Sequence, residues 1–474
     1  TRFFVSHSGR SLHEMVRRDA MGALIASGLS LGGLLGTHVS ANVGVRQKKK
    51  AKSVLMLFAS GGQSQFETWD PKPHAPVEVR GAFGTIGTAT PGLRICEHLP
   101  RLASLSQRYC VYRSMSHDDL DHGTASYLTL TGRHHPLKSA NPNPSPADHP
   151  TLAAAFTKIM PSRGIPFSAV NINGPMLIPF TPGPGQDGGF LGKGPSPAII
   201  ENPSLGIEKS LGISPVADLP MVRIDGRRVL AEELESLRRV LEGHPQAKGW
   251  DQQSLRAYSL LKTPRFRQAL NLNNEKPDLL SKYGHGRTGR ACIMGRRLIE
   301  AGVPWVTVFL NHSIRGQDDY QDSPDWYGWD THNDIFESMK NVLLPRFDLA
   351  ISALIEDMET RSLLQETLVV IVGEFGRAPF VATEKRFAGS SPGRKHWAGA
   401  YSMVALGAGI PGGRIIGETD KWGGSVQSHR GTPGDLAATL FNAMGIEQSA
   451  TFSDPTGRVV PLAEGKPISS WWDG

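Results

Sequence analysis

Residues 366–376 read ETLVVIVGEFG, and this stretch decides the fold class. Its apolar part, 367–372, is short and rich in β-branched residues, which predicts a buried strand that ends at a glycine turn. The segment before it, 334–361, places apolar side chains at helical spacing along one stripe. A helix that leads into a buried strand is the repeating unit of a parallel sheet with helices on both faces.

The same alternation extends outward in both directions along the chain. Further strands are predicted at 53–59, 109–113, 304–310 and 401–406, and further helices at 288–301 and 433–444. Gly302 directly follows one of these helices, as a C-terminal capping glycine does. We therefore predict the α/β fold class, with a doubly wound, mostly parallel sheet over residues 53–474 and a helical insertion at about 205–287.

The N-terminal segment has the features of an export signal. Arg17 and Arg18 precede a short, modestly apolar stretch and a small-residue cleavage site that ends at Ala41. This pattern predicts a twin-arginine signal peptide over 1–41, followed by a basic linker over 42–52. No later segment is long and apolar enough to cross a bilayer, so we expect a soluble periplasmic or extracellular protein without a transmembrane segment.

The positive charge of the chain is confined to this N-terminal segment. Residues 1–52 hold nine Lys and Arg against two acidic residues, which accounts for the whole formal net charge of +7. A nucleic-acid-binding protein carries its basic patch on the folded body. The neutral remainder of this chain therefore argues against nucleic acid as a partner.

The three cysteines, Cys96, Cys110 and Cys292, are too few and too scattered for a disulfide framework or a cysteine-type zinc site. Cys96 and Cys110 either pair in an oxidising compartment or remain small buried thiols, and the second interpretation is favoured.

Histidines and carboxylates cluster next to the ends of the predicted strands, where open parallel sheets bind their ligands. The group consists of His117, His122, Asp330, His332, Glu374 and His396. Imidazole and carboxylate together form the ligand set of zinc, manganese and similar divalent ions. The pattern predicts a metal site, with zinc or manganese favoured and calcium as a further candidate.

Several segments resemble a known superfamily when they are taken in order. They are SYLTLTGR at 126–133, WDTH at 329–332, the strand and turn at 366–376, the late His396, and DLAATL at 435–440. Together they resemble the alkaline phosphatase and sulfatase superfamily. Within it, the chain is similar to a bacterial, twin-arginine-exported family known as domain of unknown function 1501. The resemblance implies an alkaline phosphatase-like core and metal-dependent hydrolysis of phosphate or sulfate esters.

The departures from the superfamily pattern fall on the centre of the expected site. The position of the sulfatase cysteine or phosphatase threonine is occupied by His122. The metal-binding pair after the strand becomes Glu374 and Phe375, and a phenyl ring cannot bind a metal ion. A formylglycine mechanism is excluded, because there is no cysteine at this position to convert.

The resemblance also implies roles for individual residues. Asp330, His332 and His396 are expected metal ligands, and Glu374 is expected to be either a ligand or a general base. His117 and His122 are candidates for a second metal cluster, and His122 is also a candidate catalytic residue.

Candidate nucleophiles and anion-binding groups complete the predicted site. Thr124, Ser60 and Ser64 are the hydroxyl candidates for a nucleophile, although direct attack by water suits the departures best. Arg133, Arg377 and Arg394 are candidate anion-binding residues. The expected substrate is a small-molecule or polymer ester. The alternative is a non-catalytic exported protein for binding or envelope assembly, with an envelope protein as its partner.

Overall fold

The structure is a computed structural model that describes residues 41–42, 50–161, 164–204, 263–316, 327–454 and 456–473. The described residues all belong to one unit, Val39–Gly474. The predicted signal peptide lies outside the described residues, except for Ala41. Most of the linker and of the predicted helical insertion also lies outside them.

The described chain is organised around an eight-stranded sheet. Its strands are β1 (Ser53–Phe58), β2 (Cys110–Met115), β3 (Ala169–Ile172), β4 (Ala198–Ile200), β5 (Trp305–Phe309), β6 (Thr367–Val372), β7 (Tyr401–Leu406) and β8 (Arg414–Ile416). They are arranged in the order β8-β2-β7-β6-β1-β5-β3-β4. Only β7 runs antiparallel to its neighbours in this sheet, which confirms the mostly parallel α/β fold.

The central strands are apolar along their whole length because both faces of the sheet are covered. All six residues of β6 are buried, and β6 pairs with β1 in parallel register from Ser53–Thr367 to Phe58–Val372. Along β1, Leu55 and Leu57 belong to one hydrophobic core, while Val54, Met56 and Phe58 belong to the other. Continuous apolar runs are therefore needed here, in place of the alternation of a half-exposed strand.

Helices cover the two faces of the sheet. The longest are α1 (His122–Thr131), α2 (Leu152–Ile159), α3 (Arg287–Glu300), α4 (Leu344–Thr360) and α5 (Pro433–Ala443). Shorter α-helices span Val77–Arg80, Pro100–Ser104, Pro264–Leu270, Pro277–Tyr283 and Ile335–Ser338, and 3₁₀ turns span Ser106–Arg108, Gly189–Leu191, Leu272–Asn274, Leu363–Gln365 and Ser469–Trp471. Gly302, after α3, has a φ of 99°, as expected of a capping glycine.

The predicted helix over 334–361 is not one regular helix. A π-helical turn, Met339–Leu343, separates Ile335–Ser338 from α4. Pro345 is the second residue of α4, just after this turn, and lacks the N–H that a continuous regular helix would use there. The apolar stripe indicated the correct buried face, but it carries no information about a local change in hydrogen-bond register.

Short paired strands lie in the loops around the sheet. They are Thr85–Gly87 with Arg94–Cys96, Gly376–Arg377 with His396–Trp397, Glu418–Thr419 with Val426–Ser428, and a three-stranded group of Ala41–Asn42, Thr451–Ser453 and Val459–Pro461. The three cysteines are free and buried. No helix in the described ranges has the length and apolar character that a membrane span needs.

Candidate metal centre

Four side chains, which we call the metal group, meet beyond the carboxyl ends of the parallel strands. His122, Asp330, His332 and His396 each offer one ligand atom, and these atoms lie within 4.8 Å of one another. Asp330 Oδ1 is central: it lies 3.1 Å from Nε2 of His122, 3.1 Å from Nε2 of His332 and 3.3 Å from Nε2 of His396. The four are largely buried, and His396, with 16% of its side chain exposed, is the most accessible.

The fold brings these residues from three separate parts of the chain. His122 is the first residue of α1, whose N-cap residue is Asp121. Asp330 and His332 lie in the segment between β5 and the next helix. His396 belongs to a two-residue strand that pairs with Gly376–Arg377, just after β6.

Each histidine of the group uses Nδ1 for an outer hydrogen bond. Nδ1 of His122 lies 2.7 Å from Glu374 Oε1, Nδ1 of His332 lies 2.6 Å from Glu384 Oε2, and Nδ1 of His396 lies 2.7 Å from the Leu120 carbonyl oxygen. With a proton on each Nδ1, the Nε2 lone pairs face the common centre. Metal-bound histidines in proteins characteristically donate their second N–H to a carboxylate or a backbone carbonyl.

The electrostatics of the group reflect one buried carboxylate among imidazoles. Burial opposes ionisation of Asp330, but His122 and the other two histidines hold its pKa well below the usual value. Burial disfavours a charged His122, yet Asp330 and Glu374 together raise its pKa to about 9. Burial and the positive His122 lower the pKa of His396 to about 3, which keeps its imidazole neutral. Without a metal ion, His122 therefore carries the positive charge opposite the ionised Asp330. A bound cation would take the place of the His122 proton at Nε2.

The predicted residues Glu374 and His117 lie behind the group of four. Glu374 is fully buried, and its Oε1 also accepts a hydrogen bond from the Gly61 N–H at 2.8 Å. His117 Nε2 lies 2.7 Å from the Glu374 carbonyl oxygen, and its Nδ1 accepts from the Asp119 N–H at 3.1 Å. Both ring nitrogens of His117 are thus used within the protein, and no second cluster forms around it among the described residues.

The three candidate hydroxyls are all donors to protein acceptors. Thr124 donates to Asp119 Oδ1 at 2.6 Å, Ser60 donates to the Asn311 carbonyl oxygen at 3.1 Å, and Ser64 donates to Glu67. None of them forms a hydrogen bond with the four candidate ligand atoms. The structure therefore does not mark any of these hydroxyls as an activated nucleophile.

The three candidate arginines are likewise engaged by the protein. Arg394 forms a buried ion pair with Glu67 at 2.7 Å, and Arg133 pairs with Glu464. Arg377 is fully buried and lies against the metal group itself, with Nη2 at 2.9 Å from Asp330 Oδ1. Arg377 thus orients the Asp330 carboxylate, while Arg133 and Arg394 stabilise other parts of the fold.

Sequence reasoning missed two partners of the ligand histidines. Glu384 contacts His332, but it lies in an irregular segment well beyond the end of the predicted strand at 367–372. The Leu120 contact uses a backbone carbonyl, so no side-chain pattern could reveal it. The available signal for Glu384 was only its position between two predicted strands that flank the site.

Solved structures with a similar chain path include a sulfatase, a hydrolase and a superfamily member. The PsFucS1 sulfatase from Pseudoalteromonas sp. has a TM-score of 0.35 and 10% identity, with 84% of this chain and 68% of that chain covered. The phosphonate monoester hydrolase from Silicibacter pomeroyi has a TM-score of 0.37 and 10% identity, covering 89% and 76%. A protein in the alkaline phosphatase superfamily from Vibrio parahaemolyticus has a TM-score of 0.36 and 12% identity, covering 89% and 81%. At these TM-scores the similarity carries no conclusion about function.

No curated protein sequence matches the chain significantly. A family model described as "Protein of unknown function (DUF1501)" matches residues 51–471, which is most of the chain. The match includes all four residues of the metal group and the strand–glycine stretch at 366–376. The chain therefore belongs to the DUF1501 family.

Proposed function

We propose that this protein is an exported, metal-dependent hydrolase of phosphate or sulfate esters that binds its metal ion with His122, Asp330, His332 and His396. One observation carries the proposal: three Nε2 atoms and one carboxylate oxygen converge within 4.8 Å, and every histidine has its Nδ1 anchored from outside. This arrangement is expected of a built metal site, because the outer hydrogen bonds select the tautomer and fix the ring orientation.

The donor set favours zinc. Three imidazole nitrogens and one carboxylate match the four-coordinate sites of zinc, and manganese accepts the same donors less well. Calcium prefers six to eight oxygen ligands, so it is disfavoured by three nitrogens.

The surroundings favour a single ion. The ring of Phe375 lies against His122 and His396, with centroid distances of 5.1 and 4.6 Å. The guanidinium of Arg377 occupies another side of Asp330, at 2.9 Å from Oδ1. An apolar ring and a fixed positive charge leave these two sides of the centre without further donors.

The chemistry follows from what these residues hold in place. An ion held by these four residues would take water or an ester oxygen as a fifth ligand, and it would supply polarisation of that oxygen and a lower pKa of the water. Glu374, through Oε1, keeps the Nδ1 proton of His122 and so orients that ring. Because Thr124, Ser60 and Ser64 are engaged elsewhere, water is the nucleophile that the arrangement supports. Cys96, Cys110 and Cys292 lie within the apolar cores, which agrees with the exclusion of a formylglycine.

Metal content and turnover test this proposal together. Protein purified without chelators is expected to contain about one transition-metal ion per chain, because the described residues supply one such group of donors. It is expected to cleave at least one of p-nitrophenyl phosphate, bis(p-nitrophenyl) phosphate and p-nitrophenyl sulfate. Asp330→Asn should abolish that cleavage, whereas His74→Ala, at an exposed position, should not. A protein that is metal-free after such purification contradicts the proposal.

A second function is favoured by one observation: the three arginines expected to bind the anionic group are all engaged by protein acceptors. We therefore keep a non-catalytic, metal-stabilised protein for binding or envelope assembly as the second candidate, with an envelope protein as partner. Bound metal together with no turnover across the three esters would favour it.

Export by the twin-arginine route is part of the proposal and rests on Arg17, Arg18 and the segment that follows them in the sequence. Replacing Arg17 and Arg18 by lysine should strongly reduce delivery to the periplasm. Cell fractionation with an epitope-tagged chain measures this, and unchanged delivery would refute the twin-arginine assignment.

A further inference from the structure

One face and one edge of His332 are covered by residues 384–391, which we call the covering loop. Glu384 Oε2 lies 2.6 Å from His332 Nδ1. The ring of Phe387 is stacked on the imidazole, with a centroid distance of 3.8 Å and an interplanar angle of 4°. The hydrogen bond determines which nitrogen faces the metal centre, and the stacked ring determines the plane of the imidazole.

The covering loop does not hold this position by secondary structure of its own. Residues 384–391 form only turns and bends, between isolated bridges that involve Ala382 and Pro392. An irregular segment of this kind keeps a defined shape only when its backbone groups find partners outside it. The contacts that place Glu384 and Phe387 must therefore come from neighbouring residues.

Asn333 provides one set of these contacts. Its Nδ2 group donates to the carbonyl oxygens of Glu384 at 2.9 Å, Phe387 at 3.1 Å and Ala388 at 3.2 Å. Its Oδ1 accepts from the Glu384 N–H at 2.8 Å. The side chain is buried, and both ends of its amide are used by the backbone of the covering loop.

Asp334 provides a second set. Its Oδ1 accepts from the N–H groups of Ser390 and Ser391 at 3.1 and 2.8 Å, and from the Ser391 hydroxyl at 2.8 Å. The backbone of Asp334 is left-handed, with a φ of 53°. Gly389 passes so close that a Cβ there would lie 2.3 Å from Asp334 Oδ2. The contact is tight enough to require glycine at that position.

His332, Asn333 and Asp334 are consecutive. His332 and the two side chains that hold the covering loop, which we call clamps, therefore share one short piece of backbone. Any shift of that backbone moves the ligand and the covering loop together. Resting on the proposed metal function, we infer that Asn333 and Asp334 are positioning residues of the metal centre, which act on His332 through Glu384 and Phe387. They do not contact the four ligand atoms themselves.

The expected consequence of losing a clamp is a less well oriented His332. Glu384 would then no longer be held at Nδ1, and the imidazole would be free to rotate or to present the other tautomer. Loss of an outer partner of a metal-bound histidine typically weakens metal binding by about 10- to 100-fold. Asn333→Ala and Asp334→Ala should each weaken zinc binding to a similar degree.

Zinc affinity of the full chain, measured by competition with a chromophoric chelator, tests the inference. Asp454→Ala is the matched control. Asp454 Oδ1 accepts from the N–H groups of Thr456 and Arg458 and from the Thr456 hydroxyl, as Asp334 does for Ser390 and Ser391, but in a different loop. The control should bind zinc as the wild type does. Wild-type affinity in both Asn333→Ala and Asp334→Ala would overturn the inference.

A double-variant comparison tests the route through Glu384. If Asn333 acts partly through Glu384, the loss of zinc binding in Asn333→Ala/Glu384→Ala should be smaller than the sum of the two single losses. Losses that simply add would show that Asn333 does not act through Glu384. Melting temperatures of the metal-free proteins identify any variant that fails to fold, and Glu384→Ala, which leaves the Asn333 clamp in place, then carries the test.

A metal-free readout separates this inference from the proposed function. In ¹⁵N-histidine-labelled protein, the Nδ1–H of His332 should exchange slowly with solvent, and Asn333→Ala should accelerate its exchange while Asp454→Ala does not. If the wild type binds no zinc but this pattern is seen, the proposed function fails and the positioning role stands. Unchanged exchange in Asn333→Ala overturns the positioning role whether or not zinc binds.

Discussion

The guanidinium Nη2 of Arg377 lies 2.9 Å from Oδ1 of Asp330, the oxygen at the middle of the metal group. The same side chain donates through Nε to the Gly62 carbonyl oxygen at 3.0 Å and through Nη1 to the Arg394 carbonyl oxygen at 3.1 Å. Nη2 also donates to the Trp329 carbonyl oxygen at 3.0 Å. Arg377 therefore joins the turn after β1, the Asp330 segment and the segment after β6 into one frame.

Removal of the Arg377 charge should destabilise this frame severely. Arg377→Met keeps much of the volume but removes the guanidinium partner of the buried Asp330 carboxylate and leaves several carbonyl oxygens without a donor. We expect a loss of about 3–5 kcal/mol in the free energy of unfolding of the metal-free protein, measured by urea denaturation. Arg458→Met, which breaks an ion pair between the exposed Arg458 and Asp454, should have little effect on stability. Equal effects of the two variants would contradict the role of Arg377.

Gly61 should tolerate no side chain, because it packs against the backbone of Asp330, a proposed metal ligand. It has a φ of 116°, and a Cβ there would lie 2.5 Å from the Asp330 backbone nitrogen. Gly302 also has a positive φ, 99°, but a Cβ there would meet nothing within 4 Å. Gly302→Ala should therefore cost only the backbone strain, about 1–2 kcal/mol.

Gly61→Ala should cost more than Gly302→Ala and should also reduce the metal content, because Asp330 must move. Thermal unfolding and metal analysis of both variants measure this. A Gly61→Ala protein with wild-type metal content would show that the close approach does not position Asp330.

The two candidate ligand histidines outside the helices should each be needed for metal retention. His332→Ala and His396→Ala remove one of four donors, so we expect metal content to fall well below stoichiometry after gel filtration. His74→Ala should retain the wild-type content. Mass spectrometry of the metal in each sample decides this, and full retention in either ligand variant would remove that histidine from the site.

His149 should make the metal-free protein sensitive to acid. Burial, reinforced by Arg133, lowers the pKa of His149 to about 4, while an unfolded histidine has a pKa of about 6.5. The unfolded state therefore takes up the proton first, and the stability contributed by neutral His149 is present above pH 6.5 and is lost as the pH falls toward 4.

His149→Gln should accordingly lose less stability than the wild type between about pH 6.5 and 4.5. Melting temperatures measured across this range, with chelator present so that metal loss does not contribute, provide the comparison. Parallel curves for the two proteins would contradict a neutral, half-buried His149.

The positions of the strands were predictable to different degrees for physical reasons. The strand at 367–372 agrees with the structure at both ends. Polar residues flank this apolar β-branched run and so mark where the buried segment begins and ends. The antiparallel direction of β7 was not predictable, because its residues, YSMVAL, bury both faces as a parallel strand would.

The metal group was predictable in outline. His122, Asp330, His332 and His396 were expected near one sheet edge, and the structure brings them together. Glu374, expected as a ligand or general base, lies behind His122, because the turn after β6 directs it toward the Gly61 N–H. The order of residues along the chain does not show which donor faces inward and which faces outward.

The sequence by itself determined the α/β class, the buried strands and the supply of imidazoles and carboxylates at their carboxyl ends. These depend on local apolar periodicity and on the rule that parallel strands end at a common edge. Only the tertiary structure decided that Glu384 holds His332, that Arg377 holds Asp330, and that Thr124, Ser60 and Ser64 are engaged elsewhere. These contacts join segments far apart in the chain, and hydrogen bonds of this kind depend on distances and angles that local sequence does not encode.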